Sequence, residues 1–465
     1  METKTWCPLP WIFQAVRNNG DLRVCCQANA SATKGILKKP SGLAFNAKAD
    51  SLEEARNAPL LKEVRIAMLK GEEHENCTRC REEDAAGIRS RRVYERVNWA
   101  SEITEEKARE ATFSDGTIDT NKTKVIVYDI RLGNKCNLKC RMCGPTDSSA
   151  WYADQVKLWG STYHDSHGKV ELIQSNTGQW QPKNLDYDWT DSEKFWSQID
   201  KNIPFIRQIQ TVGGEPLLIS RHFDLLQRCI DLGYSQNISV EYNSNLSIIP
   251  ERAWGIWRKF REIRIGVSLD GVAGVNEYIR GSSRWDSLER NIKRLDEAEG
   301  NFTIWIATTV QAYNILHLPE IMKWRLNSRF RRVNCHPWRP LITAHPLHNP
   351  KHLNVRILPP AYKALVSERF QDFFSWLEIW CVGEKIAEKD HKNLMEHARK
   401  ILGGYESYMH AEDWSHLLPK FLKYSSTLDS LRGERLGDVL PELAEAIMPR
   451  QPLACQDLRL QVARE

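Results

Sequence analysis

From Lys124 to about Leu341, short β-rich runs alternate with amphipathic helical runs, and this alternation restricts the fold more than any other feature of the chain. Strands are expected at Val125–Ile130, Ile206–Val212, Ile238–Tyr242, Ile263–Leu269, Thr303–Val310 and Arg332–Pro337. Helices are expected around Arg221–Leu232, Ala253–Phe260, Trp285–Ala298 and Leu318–Asn327. Repeated strand–helix units bury both faces of a parallel sheet, so the region reads as an α/β fold of successive βα units. Residues 1–120 are irregular and polar, with scattered cysteines and a charged stretch, Arg79–Glu110, that reads as helix and connector. After Pro359 the pattern is mostly helical, as in Ala361–Trp380 and Ala411–Tyr424. The expected division is therefore 1–120, 121–345 and 346–465, with a Trp- and Asp-rich insert at 151–196.

Composition narrows the class further. The 465 residues are 41% hydrophobic and 27% charged, as in soluble globular proteins rather than disordered chains. The longest stretch without Asp, Glu, Lys or Arg, Gly300–Pro319, is broken by Asn, Thr, Gln, His and Pro, and the opening Met-Glu-Thr-Lys-Thr-Trp has no apolar signal region. A cytoplasmic protein without a membrane partner is the expectation. A net charge of +5 is weak evidence for nucleic acid. The basic segments Lys34–Lys39, Arg89–Arg92 and Arg329–Arg332 read as solvated faces, with phosphate contacts as the alternative. Twelve cysteines are too few for a disulfide scaffold, yet most fall in two groups, which in a reducing compartment points to metal.

The first group lies in Arg131-Leu-Gly-Asn-Lys-Cys136-Asn-Leu-Lys-Cys140-Arg-Met-Cys143-Gly144-Pro145, directly after the first expected strand. Structural zinc wants four ligands, and no fourth Cys or His is near in sequence. A cube of iron and sulfide held by three thiolates keeps one iron open to an exchangeable ligand. Three cysteines on a short loop thus suggest a catalytic cluster, with zinc as the alternative.

This triplet resembles the signature of the radical S-adenosylmethionine (SAM) enzymes, and the resemblance continues along the βα units. Gly213-Gly214-Glu215-Pro216 is similar to the family's GGEP segment, which receives the SAM amino group. Asn243-Ser244-Asn245 stands where the family has a polar turn. Ser268 and Arg280 match positions that contact the SAM carboxylate and ribose, and Asp270 either joins them or caps the following helix. Val310 closes the strand at the adenine edge, and Met142 occupies a position where relatives carry an aromatic residue. The resemblance covers roughly residues 124–341 and implies a (βα)6 partial barrel binding SAM and a [4Fe–4S] cluster on Cys136, Cys140 and Cys143. It also implies reductive cleavage of SAM to a 5′-deoxyadenosyl radical, with an external one-electron reductant as partner.

The second group comprises Cys7, the pair Cys25 and Cys26, and Cys77-Thr-Arg-Cys80. Four thiolates suit a fully ligated cluster or structural zinc. The Cys-Pro-Leu-Pro-Trp opening, the amphipathic run Leu52–Met68 and Ile88-Arg89-Ser90-Arg91 resemble the SPASM/twitch module. That resemblance implies a second [4Fe–4S] cluster on Cys7, Cys77, Cys80 and either Cys25 or Cys26. A twitch module ahead of the barrel is similar to phage-encoded radical SAM proteins. The substrate this implies is an amino-acid-modified thymine rearranged during phage DNA hypermodification, with radical modification of a peptide as the alternative and a non-enzymatic iron–sulfur or zinc protein as the third reading. Cys335, at the end of the expected sixth strand, is a candidate hydrogen donor. Cys229, Cys381 and Cys455 read as buried thiols, and His336, His345, His348 and His352 as a polar loop rather than a metal site.

Overall fold

The computed structural model describes residues 3–28, 33–165, 168–183, 187–335 and 340–447. In chain order the strands are β1 (Phe13–Val16), β2 (Leu22–Arg23), β3 (Val127–Ile130), β4 (Lys139–Cys140), β5 (Thr162–Asp165), β6 (Gly168–Gln174) and β7 (Trp180–Pro182). They continue with β8 (Gln208–Thr211), β9 (Ser239–Ser244), β10 (Glu262–Ser268), β11 (Arg280–Gly281), β12 (Phe302–Val310) and β13 (Thr343–Pro346).

Six of these form the expected run of βα strands. The order is β3-β8-β9-β10-β12-β13 with every neighbouring pair parallel, the sheet of a partial barrel. The strands β3 and β8 are buried along their whole length, because helices cover one face and the lumen is enclosed on the other. The covering helices follow a 3.6-residue apolar period: Leu288, Ile292 and Leu295 line one face of the helix Trp285–Glu297 and are all buried. Each such side chain contributes roughly 1.5–3 kcal/mol on leaving water.

Two features depart from the sequence reading. The expected sixth strand, Arg332–Pro337, does not form over its described part, residues 332–335. Val333 makes only an isolated bridge to Ile304, and the strand proper is β13, pairing Thr343–Pro346 with Ala307–Val310. The β-branched Val333 sets a local β signal, but nine further residues pass before the backbone regains the ladder; residues 336–339 lie outside the described set. The amino-terminal region, in turn, is not outside the barrel sheet. The strand β1 pairs in parallel with β3, Phe13 opposite Val127 through Val16 opposite Ile130, and β2 closes that edge as an antiparallel hairpin. The boundary expected at residue 120 therefore separates two stretches of chain that share one sheet and one core.

The expected run Leu52–Met68 is two helices, Leu52–Ala55 and Pro59–Lys70, because Pro59 starts a helix but cannot continue one. The tail is helical over Pro360–Gly383, Glu388–His410 and Leu418–Arg432, within the helical region expected after Pro359, and the third helix begins later than Ala411. The insert forms the helix Tyr152–Trp159 and the antiparallel sheet β5-β6-β7, with a small core of Tyr152, Val170 and Leu172. No described helix is long and apolar enough to cross a membrane.

Candidate functional site

The cysteine loop leaves β3 and is fixed from several sides. The carbonyl of Lys135 accepts from the Glu215 amide at 2.8 Å, and Asn134 Nδ2 donates to the Pro145 carbonyl at 2.7 Å. The short strand β4 pairs with β11, setting Cys140 opposite Arg280. Trp151 Nε1, from the start of the insert, donates to the Cys140 carbonyl at 3.0 Å, and the Tyr424 hydroxyl to that of Arg141 at 2.7 Å. Arg141 is fully buried: its Nη2 lies 2.5 Å from both Asp429 Oδ1 and Glu434 Oε2, and its guanidinium stacks 3.6 Å over Tyr278. The helical tail thus bolts onto the middle of the cysteine loop, a role the sequence reading did not assign to either.

The expected cofactor landmarks converge on this loop. Gly213 and Gly214 have φ of +87° and +57°, and a Cβ on Gly214 would come 2.5 Å from the Lys135 carbonyl oxygen. The double glycine lets the strand end pass the loop backbone at a distance no side chain tolerates. Glu215 is buried, with Oε1 accepting from Ser244 Oγ at 2.7 Å and from the Leu217 amide at 3.2 Å, and Oε2 from the Asn245 amide at 2.7 Å. Burial raises its pKa to about 7 against the lowering effect of those hydrogen bonds. Asn245 Nδ2 in turn reaches Asn137 Oδ1 at 3.2 Å and Cys136 Sγ at 3.9 Å. Glu215 and Asn245 therefore tie the ends of β8 and β9 to the loop.

On the other side, Arg280 Nη1 lies 4.0 Å from Cys140 Sγ, and its Nε pairs with Asp270 Oδ2 at 2.9 Å. Asp270 Oδ1 accepts from the Thr309 amide at 2.7 Å, so this carboxylate does not cap the helix Gly274–Ile279, whose first turn has no side-chain cap. Ser268 ends β10, and Asn243, on β9, faces the lumen. Val310 is fully buried and its carbonyl accepts from the Leu347 amide, while Met142 is half-buried beside Cys143. Burial pushes the Cys136 thiol up to about 11. The hydrogen bond between Cys140 and Cys143 lowers the first and raises the second, and Arg280 adds to the lowering at Cys140. Ligation would displace these protons.

The amino-terminal thiols sort themselves. Cys7 stands among Cys80, Cys25 and Cys77, each of whose charges raises its pKa on top of burial. Burial raises Cys25 and Cys80 to about 12; Cys26 and Cys77 act on Cys25, and both Cys25 and Cys26 act on Cys80. Cys26 differs. After burial its environment is Arg91, Asp129 and Arg131, and it lines a cavity in the barrel lumen. Cys7 thus feels Cys80, Cys25 and Cys77, whereas Cys26 faces the lumen cavity. No trio of His, Cys, Asp or Glu among the described residues is closed enough to grip a single metal ion. The donor chemistry, three thiols on one short loop and four gathered from the amino-terminal region, is the kind that holds iron–sulfur cubes, which are wider than an ion.

Cys335 is not brought to this site. It is exposed and follows Val333, whose partner Ile304 lies six residues back along β12 from Val310, about 20 Å at ~3.3 Å per residue, and its Sγ lies 3.2 Å from the Phe330 carbonyl oxygen. Its assignment as hydrogen donor fails because the sixth strand is displaced to β13. Cys229 and Cys381 are buried as expected; Cys455 and His336 lie outside the described residues. The other histidines are separated: His345 lines the lumen, His348 Nε2 is 3.5 Å from Glu83 Oε1, and burial lowers His352, packed on Tyr424, to about 4. Arg91 is no solvated residue; it pairs with Glu95 at 2.5 Å and turns inward. The insert forms one wall of a cavity of about 850 Å³, with Trp159 stacked on Tyr424 and Tyr163 against Gly144, opposite Cys143.

Residues 130–324 match the model of the radical SAM superfamily. Similar solved structures include native anSMEcpe with bound AdoMet, 16% identical over 45% of this chain and 50% of that one, with a TM-score of 0.29. Another is Streptococcus suis SuiB bound to S-adenosylmethionine, 15% identical over 71% and 66%, with a TM-score of 0.31. The same protein bound to precursor peptide SuiA matches at 14% over 68% and 64%, with a TM-score of 0.30. The chain spans half the length of the anSMEcpe structure it matches. No curated protein matches it.

Proposed function

We propose that this chain, whose residues 130–324 carry a radical SAM superfamily domain, is an enzyme that binds SAM beside a [4Fe–4S] cluster on Cys136, Cys140 and Cys143. The observation that carries the reading is the convergence of that loop, the Gly213–Glu215 turn and Arg280 at the carboxyl ends of the strands. When bound, such a cluster supplies an electron that splits the C5′–S bond of SAM, giving methionine and a 5′-deoxyadenosyl radical that takes hydrogen from an unactivated carbon. The chain's own residues bind, orient and shield. Gly213 and Gly214 leave room for backbone carbonyls to meet the SAM amino group. Ser268 and Arg280 provide donors toward its carboxylate and ribose, and Asp270 holds the Arg280 fork in place. Asn243, Met142 and Val310 complete the SAM contacts in this reading. The insert and the helical tail exclude water from the loop.

Cys7, Cys25, Cys77 and Cys80 hold a second cluster in this proposal, in a twitch-like module built onto the barrel edge. The proposed substrate is an amino-acid-bearing thymine undergoing rearrangement; lumen cavities of about 230 and 360 Å³ suit a compact group. Anaerobic reconstitution with iron counting and a SAM-cleavage assay tests the reading, using an external one-electron reductant. About eight irons and 5′-deoxyadenosine formation are expected. Cleavage retained by a Cys136/Cys140/Cys143→Ala triple variant would overturn it. Incubation with modified thymine and with peptides then separates the substrate classes.

A further inference from the structure

The lumen cavity of about 230 Å³ is walled by Arg23, Arg79, Arg91 and Arg131, with Cys26, Asp129, Gln210 and Glu241 among its other neighbours. Four guanidinium groups and two carboxylates line this space, and Arg79 and Arg91 are also paired beyond it, with Glu83 at 3.4 Å and Glu95 at 2.5 Å. Asp129 lies 3.6 Å from Arg131, and Glu241 accepts from Arg264 Nε at 2.9 Å and Gln208 Nε2 at 3.0 Å. Among the donors on the cavity wall without a hydrogen-bond partner are Arg23 Nη2 and Gln210 Nε2, whose residues are 4% and 5% exposed, while Asp129 Oδ1 is an acceptor without one on the same wall. Arg23 is held in place by its Nε, which donates to the Lys34 carbonyl at 3.1 Å, leaving the outer nitrogen aimed at the space. Buried donors without acceptors are costly, and natural proteins keep them where a ligand supplies the acceptor.

We infer that this cavity is an oxyanion pocket that takes a carboxylate or phosphate group carried by the substrate. The inference rests on the reading that the barrel lumen is the substrate's place. Planar guanidinium forks match both oxyanions. A second cavity of about 360 Å³ shares Arg91, Glu241, Asn243 and His345 with the first, and adds apolar and aromatic walls such as Ile88, Trp305, Ile342 and Tyr405. The ligand is accordingly a compact molecule or group with an oxyanion at one end and an apolar or aromatic body at the other. Arg23, Cys26 and Arg91 come from the amino-terminal region, so the pocket exists only because β1 and β2 join the barrel sheet.

Isothermal titration of the anaerobically reconstituted full chain with inorganic phosphate, and separately with succinate, tests the pocket. One saturable site with Kd of about 1 mM or tighter is expected for at least one probe, and the stronger probe names the source as phosphate or carboxylate. Gln210→Leu, and independently Arg23→Lys, should weaken that binding about tenfold. No saturable binding by the wild type, wild-type affinity in both variants, or displacement of the probe by SAM would each overturn the pocket, the last because the oxyanion would then be the cofactor's own. The same preparation is assayed for 5′-deoxyadenosine. SAM cleavage without oxyanion binding removes this pocket alone, whereas oxyanion binding without SAM cleavage supports the pocket and removes the radical reading.

Discussion

The cysteine loop draws its three thiols from one short segment, Cys136 to Cys143, while the amino-terminal set collects Cys7, Cys25, Cys77 and Cys80 from three separated stretches. In the loop, spacing alone keeps the sulfurs near one another, and the fold adds only orientation through β4, β11 and Trp151. In the amino-terminal set the fold does the gathering: the β1–β2 hairpin carries Cys25 back toward Cys7, and the helix Thr78–Ala85 presents Cys77 and Cys80. Closing such long loops costs chain entropy that local spacing never incurs, so the second set depends on the surrounding core in a way the first does not.

The widest separation between the two sets is expected in activity. Replacing Cys136, Cys140 and Cys143 by Ala should abolish 5′-deoxyadenosine formation and remove about four of about eight irons, whereas replacing Cys7, Cys25, Cys77 and Cys80 should remove the other four and leave the loop's iron in place. Electron paramagnetic resonance with and without SAM should distinguish them, since only a cluster on the three loop thiols would keep an open iron to respond. Within the amino-terminal set, Cys25→Ala should lose about four irons and Cys26→Ala none, as read by iron counting. Equal losses would break the assignment of Cys26 to the lumen.

Smaller effects concern the supports of each set. Arg141→Met leaves Asp429 and Glu434 facing each other without their shared cation, and should cost about 3 kcal/mol in urea unfolding. Glu215 predicts a pH dependence. Its pKa is near 7 when folded and near the ordinary 4.5 when unfolded, so the folded state retains the proton longer. Its contribution is complete below about pH 4.5 and lost as pH rises through about 7, up to ~3 kcal/mol. Glu215→Gln should flatten that slope in unfolding curves of the metal-free chain between pH 5 and pH 8.

Much of the barrel was legible because strand and helix periods are local. The helix Leu318–Asn327 falls where its pattern put it, and five of the six barrel strands lie within their expected runs to a residue or two. The sixth was misplaced because Val333 does begin to pair, but the ladder resumes only at Thr343, and ladder pairing is a property of two strands rather than one. The same reason hid β1: Phe13–Val16 is too short to announce a strand and becomes one by lying against Val127–Ile130.

The sequence by itself determined the cysteine spacing, the paired glycines that allow close backbone approach and the order of the βα units, all of which are fixed within a few residues of chain. Only the tertiary structure decided that Cys26 turns to the lumen cavity, that Arg141 anchors the helical tail, and that arginines from Arg23 to Arg131 face one buried space. Those outcomes depend on which way a side chain turns and what meets it from elsewhere in the chain, and neither is encoded in the spacing of neighbours.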